Sequence, residues 1–364
     1  MLGILIICIL GVEAFCYFYL KIPAHMPSLV YFEPGPKPEK RLMQNADVQV
    51  RGAYREFLYR VTTDANGFRK TYPFTDEQAY SIAILGDSQT FGTGINDDQT
   101  FASGLAKNLG TSVLNTACPG YNTIEEYWTY KNRVRQFKPR QVLLFFFAGN
   151  DPYENFKNRE LYSENSVNQT NQNPKMTTKP FREKLKNFLA KHSAIYGSLI
   201  KLRQVPQINR FFYRYKLVNP VPPSELAIFK IGENPQAMDH WGVTEKMILD
   251  LRREVESDGS EFWLVSIPDR YQIENDYWQQ WVAKYNLNVK DFDLTLPNRH
   301  LAEFAQRNGI NFLDTTESLM NAQNKGQSIY WKIDAHLNPL GHKVIADFVT
   351  SHLSKPEPTR GENK

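Results

Sequence analysis

The sequence predicts an α/β fold built on a parallel sheet, and three observations predict it. Continuous apolar runs at residues 82–85 and 142–147, and a run at 262–267 that only Ser266 interrupts, are short, as expected of strands covered on both faces. Segments of helical period, such as Phe101, Leu105 and Leu109, alternate with them. Each run ends in a polar turn, and that carboxyl edge is where open α/β sheets collect their ligands.

The elements follow in order. Residues 2–20 are apolar except for a few positions such as Glu13, and at about 1.5 Å per residue they reach across a hydrocarbon core of about 30 Å. Residues 1–24 are therefore expected to be a membrane anchor, with a cleaved signal segment as the alternative. Lys21, Lys37, Lys40 and Arg41 follow the apolar stretch 2–20, and taken alone they would hold the body on the cytoplasmic side. Residues 25–79 read as a linker and N-terminal extension, with Pro34-Gly35-Pro36-Lys37-Pro38 as an extended spacer and 64–69 as a conventional turn.

The strand at 82–85 runs into Gly86-Asp87-Ser88, which ends it. Asp97 or Asp98 is expected to cap the helix of Phe101, Leu105 and Leu109, which Gly110 closes. A strand at 112–115 leads to the turn holding Gly120, and Thr123-Ile124-Glu125-Glu126 reads as a capping box opening a helix to about Phe137. The strand at 142–147 ends at Gly149-Asn150-Asp151.

Residues 152–242 break this rhythm and are read as an insertion. Within it, 162–178 is a polar loop that includes the sequon Asn168-Gln169-Thr170. Residues 179–216 look helical and carry many Lys and Arg with the single acid Glu183. Such a face suits solvent, anionic lipid or an acidic polymer. The rhythm then resumes with a helix through Met247, Leu251 and Val255, a strand at 262–267, a helix ending at Gly309 and a strand at 310–314. Asn338 as cap and Pro339 at the first helical position open a final helix to about Leu353, and 356–364 is a polar tail.

Composition excludes several classes. The net charge of +4 over 364 residues shows no dense basic stripe with a reading module, so nucleic acid is not an expected partner. Cys8, Cys16 and Cys118 leave no disulfide framework in the globular part. His25, His192, His240, His300 and His352 lack metal-ligand spacing, and no metal or organic cofactor is expected. His342 is expected to be a surface or packing residue.

The ends of the first three strands present Ser88, Gly120 and Asn150 to one edge. Ester chemistry needs a nucleophile, a base, a group that orients the base, and donors for the oxyanion. Ser88 is the candidate nucleophile, His336 the base and Asp334 its orienting carboxylate. The N–H groups of Ser88 and Gly120 and the Asn150 side-chain amide are the candidate oxyanion donors. At an isolated Gly-Asp-Ser, Asp and Ser would merely cap the next segment. Here four motifs stand in order.

Those motifs, Gly86-Asp87-Ser88, Gly120, Gly149-Asn150-Asp151 and a C-terminal Asp and His, resemble the SGNH (GDSL-like) hydrolase superfamily across roughly residues 80–355. The resemblance implies a flavodoxin-like three-layer α/β/α sandwich, and it implies the four named roles for Ser88, Gly120, Asn150 and His336. Asp334-Ala335-His336 has one intervening residue where many members have two. That shorter form looks like the alginate-type polysaccharide O-acetyltransferases of the same superfamily, which are membrane-linked, and Ile267-Pro268-Asp269-Arg270 is similar to a segment of them. It favours an extracytoplasmic body. The expected function is an esterase cleaving O-acetyl or related esters of carbohydrate or lipid through acyl-Ser88. The alternatives are a polysaccharide O-acetyltransferase and a non-catalytic polysaccharide-binding or assembly protein.

Overall fold

The structure, a computed structural model, describes residues 11–12, 30–33, 39–52, 56–73, 80–162 and 221–353. The expected anchor, apart from helical Gly11 and Val12, lies outside them, as do the proline spacer, the basic segment, the Asn168 sequon and the tail. No helix among the described residues is long and apolar enough to cross a membrane. The chain divides into two compact units. The first comprises Met1–Ser28, Asn168–Pro222 and Ala283–Leu287, and little of it falls within the described residues. The second comprises Leu29–Val167, Pro223–Val282 and Asn288–Lys364 and holds all the described strands.

That second unit begins with two antiparallel hairpins, β1 (Val30–Glu33) with β2 (Glu39–Leu42), and β3 (Asp47–Arg51) with β4 (Leu58–Thr62). Much of the stretch expected to be linker is therefore folded. Its alternation explains why: Tyr59 and Val61 are buried while Leu58 and Arg60 face out, the period-2 pattern of a half-buried strand.

Five parallel strands follow: β5 (Ile82–Gly86), β6 (Val113–Asn115), β7 (Gln141–Phe147), β8 (Glu261–Ile267) and β9 (Asn311–Asp314). Their spatial order is β6-β5-β7-β8-β9, so the first strand of the sheet lies between the second and third. This is the flavodoxin-like order, with its switch point between β5 and its two neighbours. Ile84 stands level with Asn115 and Leu143, and Phe147 with Ile267, so the carboxyl ends rise at one edge.

Between the strands run α1 (Ser88–Phe91), α2 (Phe101–Leu109), α3 (Thr123–Thr129), α4 (Asp151–Lys157), α5 (Pro235–Ser257), α6 (Arg270–Ile273), α7 (Asn275–Tyr285), α8 (Leu296–Asn308), α9 (Thr316–Asn324) and α10 (Pro339–His352). Two caps differ from expectation. Thr100, not Asp97 or Asp98, caps α2, because the Asp97 carboxylate is taken by Arg69 and Thr62. Asn122 caps α3 one residue early, with Glu125 returning to the Asn122 N–H at 3.2 Å. The helix expected to reach Phe137 passes into a π-helical turn at Tyr130–Val134 and a 3₁₀ turn at Arg135–Phe137. The interrupted region is also shorter than 152–242. Asp151–Lys157 is helical, Asn234 caps α5 with Pro235 following, and Gly242 is simply interior to that helix.

The main apolar core lies on one face of the sheet, where Ile82, Ile84, Leu143, Phe145 and Val265 meet α2 and α10. Gly104 of α2 allows the close approach, since a Cβ there would stand 2.6 Å from the Ala346 Cβ. A second cluster joins Leu42, Phe57, Tyr59 and Val61 of the hairpins to Phe91, Ala117, Cys118 and Tyr121 of the sheet edge. The hairpins are thus seated at the edge where the candidate residues converge.

Candidate active site

Ser88 is raised on a turn that its neighbours determine. Gly86 ends β5 with no room for a side chain: a Cβ would meet Thr90 Oγ1 at 2.1 Å. Asp87 caps α1, its carboxylate accepting the Gln89 N–H at 2.8 Å, and Gly92 closes the helix in the left-handed region at φ 87°. Asp87 is buried, whereas Ser88 keeps partial exposure.

His336 arrives on the loop before α10, 248 residues later, and its Nε2 lies 2.9 Å from Ser88 Oγ. Its Nδ1 lies 2.5 Å from Asp334 Oδ1, and the same oxygen accepts the His336 backbone N–H at 2.9 Å. A carboxylate can only accept, so Nδ1 carries the proton and Nε2 faces the serine hydroxyl with its lone pair. Burial pushes the Asp334 carboxyl up, but the hydrogen bonds and charge of His336 outweigh it and hold Asp334 below the ordinary range. The single spacer residue is what lets one carboxylate oxygen hold both the ring and the backbone of His336.

Gly120 has φ 81°, a left-handed conformation suited to glycine. Its loop lies against the serine turn, with the Cys118 N–H donating to Gly86 O at 3.2 Å. Asn150 ends the turn after β7 and its side chain stands beside Asp87. The Asn150 amide nitrogen donates to the Asp87 carboxylate, which holds the side chain beside the serine turn. The backbone N–H groups of Ser88 and Gly120 have no backbone acceptor among the described residues. The structure thus joins Ser88, His336 and Asp334 by hydrogen bonds and brings Asn150 and Gly120 to their edge.

Several site residues were not visible in the sequence reading. Gln89 is buried and its amide grips the His336 loop, donating to Ala335 O at 3.2 Å and accepting the Leu337 N–H at 3.1 Å. Arg270 holds the same loop from the other side through the carbonyls of Trp331, Lys332 and Asp334, while its Nε pairs with Glu274 at 2.7 Å. Asp269 presses on the Asn150 turn: a Cβ on Gly149 would stand 2.3 Å from its Oδ2. Burial lifts Asp269 to about 7. Only an irregular Ile-Pro-Asp-Arg after a strand hinted at this pair.

Behind the edge sit three buried carboxyls, Asp87, Glu126 and Asp151, and burial raises each, with mutual repulsion adding to the effect at Glu126 and Asp151. Asp151 Oδ2 accepts the Phe147 N–H at 2.8 Å, whereas neither oxygen of Glu126 has a partner. No grouping among the described residues could hold a metal ion. His342 is a packing residue: it is buried, stacks on Phe101 and accepts the Phe101 N–H at 3.1 Å. Of the remaining histidines, His240 is buried against Tyr153 and Phe156, and His300 pairs with Glu245 at 2.7 Å. Cys118 is a free, buried thiol that burial pushes up to about 12.

A parallel sheet in this order, with serine, histidine and aspartate hydrogen-bonded at its switch-point edge, is the frame of an α/β hydrolytic enzyme. The chain belongs to the GDSL-like lipase/acylhydrolase family, whose model matches residues 82–349, and it is accordingly a hydrolase acting on ester bonds. Its fold is that of the SGNH hydrolases. Similar solved structures include a G-D-S-L family protein from Desulfitobacterium hafniense (15% identity, 75% of this chain and 99% of that one, TM-score 0.39). Another is LAE5, an alpha/beta hydrolase enzyme from the metagenome of Lake Arreo (14% identity, 75% and 94%, TM-score 0.40). A third is a catalytic mutant of an acetylxylan esterase from Geobacillus stearothermophilus (11% identity, 75% and 93%, TM-score 0.40). No curated protein matches the chain.

Proposed function

We propose that the protein is a serine esterase that removes a short acyl group, acetyl above all, from a carbohydrate or lipid through an acyl-Ser88 intermediate. The observation that carries this reading is the hydrogen-bonded series Asp334–His336–Ser88, at 2.5 and 2.9 Å. As Ser88 Oγ bonds to the ester carbonyl carbon, His336 Nε2 takes the hydroxyl proton and Asp334 stabilises the imidazolium. The carbonyl oxygen, now an anion, is received by the N–H groups of Ser88 and Gly120 and by Asn150, each donor contributing on the order of 3 kcal/mol to the transition state. Collapse expels the alcohol, which takes the proton from His336. Water then attacks acyl-Ser88 with His336 again as base, releasing the carboxylic acid and restoring the serine.

A second reading is favoured by the Asp334-Ala335-His336 spacing: the same acyl-Ser88 passes its acetyl group to a sugar hydroxyl instead of water. In that reading residues 1–24 anchor an extracytoplasmic body close to a surface polysaccharide.

The test is p-nitrophenyl acetate turnover by the purified full-length chain in detergent, beside Ser88→Ala and His336→Ala. Loss of about 10³-fold or more in both variants is expected, with acetyl appearing on added oligosaccharide only if the transferase reading holds. Undiminished turnover by folded Ser88→Ala would remove the serine from the mechanism.

A further inference from the structure

We propose that the N-terminal hairpins are a working part of the catalytic centre, with Glu56 positioning the acid–base loop and Lys40 the oxyanion loop. The inference rests on the serine esterase reading above and adds to it residues that precede the 82–349 family match.

Glu56 precedes β4 and reaches the turn that carries Asp334. Its carboxylate accepts the Ile333 N–H at 3.0 Å and the Asp334 N–H at 2.9 Å, so two successive amides are fixed by one anion. Neighbouring Phe57 packs on Trp331 with centroids 5.2 Å apart, and Trp331 in turn donates its N–H to His336 O at 3.1 Å. The approach is tight, because a Cβ on Gly52 would stand 2.6 Å from the Phe57 ring. Glu56 therefore acts on Asp334 through the backbone, and Asp334 on His336 through its carboxylate.

Lys40 on β2 does the corresponding work across the site. Its ammonium donates to Gly120 O and pairs with Glu125 at 2.8 Å, while Tyr121 OH donates back to Lys40 O at 2.6 Å. Holding the Gly120 carbonyl fixes the loop that carries Gly120, the candidate oxyanion residue. The apolar cluster of Leu42, Phe57, Tyr59 and Val61 with Phe91, Cys118 and Tyr121 seats both contacts on the sheet edge.

Both residues act by positioning, so loss of either should lower kcat and leave KM nearly unchanged. Loss of the Glu56 carboxylate frees the Ile333 and Asp334 amides and loosens the loop that carries His336. Loss of the Lys40 ammonium frees the Gly120 carbonyl.

The experiment uses the full-length chain with Glu56→Ala, Glu56→Gln and Lys40→Met. It measures kcat and KM, near-ultraviolet dichroism for folding, and the rate at which a fluorophosphonate labels Ser88. We expect kcat for Glu56→Ala to fall about 10- to 100-fold with KM within about twofold, labelling to slow in parallel, and sodium formate to restore part of the rate. Should Glu56→Ala not fold, Glu56→Gln, which keeps one acceptor oxygen, must show the same split between kcat and KM with a smaller loss. Wild-type kcat in folded Glu56 variants, with Ser88 labelled as fast as in wild type, would overturn the inference alone. A wild-type chain whose Ser88 takes no label at all would remove the esterase reading and this inference together.

Discussion

Gln89 and Leu337 are joined by a hydrogen bond from the Leu337 N–H to the Gln89 side-chain oxygen at 3.1 Å, and through it the residue after Ser88 fixes the residue after His336. The other half of the same amide donates to Ala335 O, so Gln89 brackets His336 on both sides. Replacing Gln89 with Ala should leave Ser88 in place but free the His336 backbone. A kcat loss of about 10-fold is expected from losing about 1–2 kcal/mol of aligned hydrogen bonding. Steady-state kinetics on p-nitrophenyl acetate read it, and an unchanged kcat would show that the bracket is not needed.

Glu126 is the carboxyl whose removal should stabilise the protein. It is buried, neither oxygen has a partner, and burial followed by repulsion from Asp151 raises it well above the ordinary range. The folded state then holds its proton more tightly than the unfolded chain does. Stability from this group is present below the unfolded value near pH 4 and is lost as pH rises towards the folded value. Glu126→Gln should therefore gain about 1 kcal/mol or more at pH 8 and little at pH 4. Urea titrations at the two pH values measure this, and an equal effect at both would contradict it.

His342 gives the opposite slope. Burial, reinforced by the charges of Arg69 and His336, pushes it down to about 3, so the folded protein keeps the ring neutral in order to accept the Phe101 N–H. The unfolded ring protonates near pH 6.5, and stability is full above that value and declines as pH falls towards 3. Between pH 7 and 5 the decline attributable to this ring is about 2 kcal/mol. His342→Asn, which retains an acceptor, should lower stability at pH 7 yet flatten the slope between pH 7 and 5 by that amount. Parallel slopes in the two proteins would remove His342 as their source.

Arg69 is the buried cation on which the segment after Ser88 depends. It donates to Asp97 at 2.8 Å and to the carbonyls of Phe91, Gly92 and Ile95, with its guanidinium 4.6 Å from the Phe91 ring. Arg69→Met would break the buried pair with Asp97 and remove a donor from three carbonyls, and a loss of about 3–5 kcal/mol is expected. Arg69→Lys should recover only part of it, because an ammonium cannot span the same fork. Equilibrium unfolding of the three proteins gives the comparison.

The parts of this molecule that were legible in the sequence are those determined by neighbours in the chain. Runs buried on both faces gave β5, β7 and β8, and the Asn338-Pro339 start of α10 held to the residue. Ser88, His336 and Asp334 were legible because order and type sufficed to nominate them, although only the folded chain brings Ser88 to 2.9 Å from His336. What was not legible depends on partners far away. Asp97 looked like a cap until Arg69 claimed its carboxylate, and Arg69 looked like part of a turn until four acceptors surrounded its guanidinium. The hairpins were hidden by the proline-rich residues that separate β1 from β2 in the sequence and by strands of only four or five residues. Glu56 lies 277 residues from Ile333, and no local pattern announces a bond of that span.

The order of the strands also carries a consequence for synthesis. In a chain that grows from its N-terminus, Ser88 is made 248 residues before His336. Until the loop before α10 has been added and has closed onto β5, the Ser88 hydroxyl has no imidazole beside it. A nascent chain ending before that loop would carry the serine without its hydrogen-bond partner. The Asp334–His336–Ser88 series is thus completed only after translation has passed the last strand of the sheet.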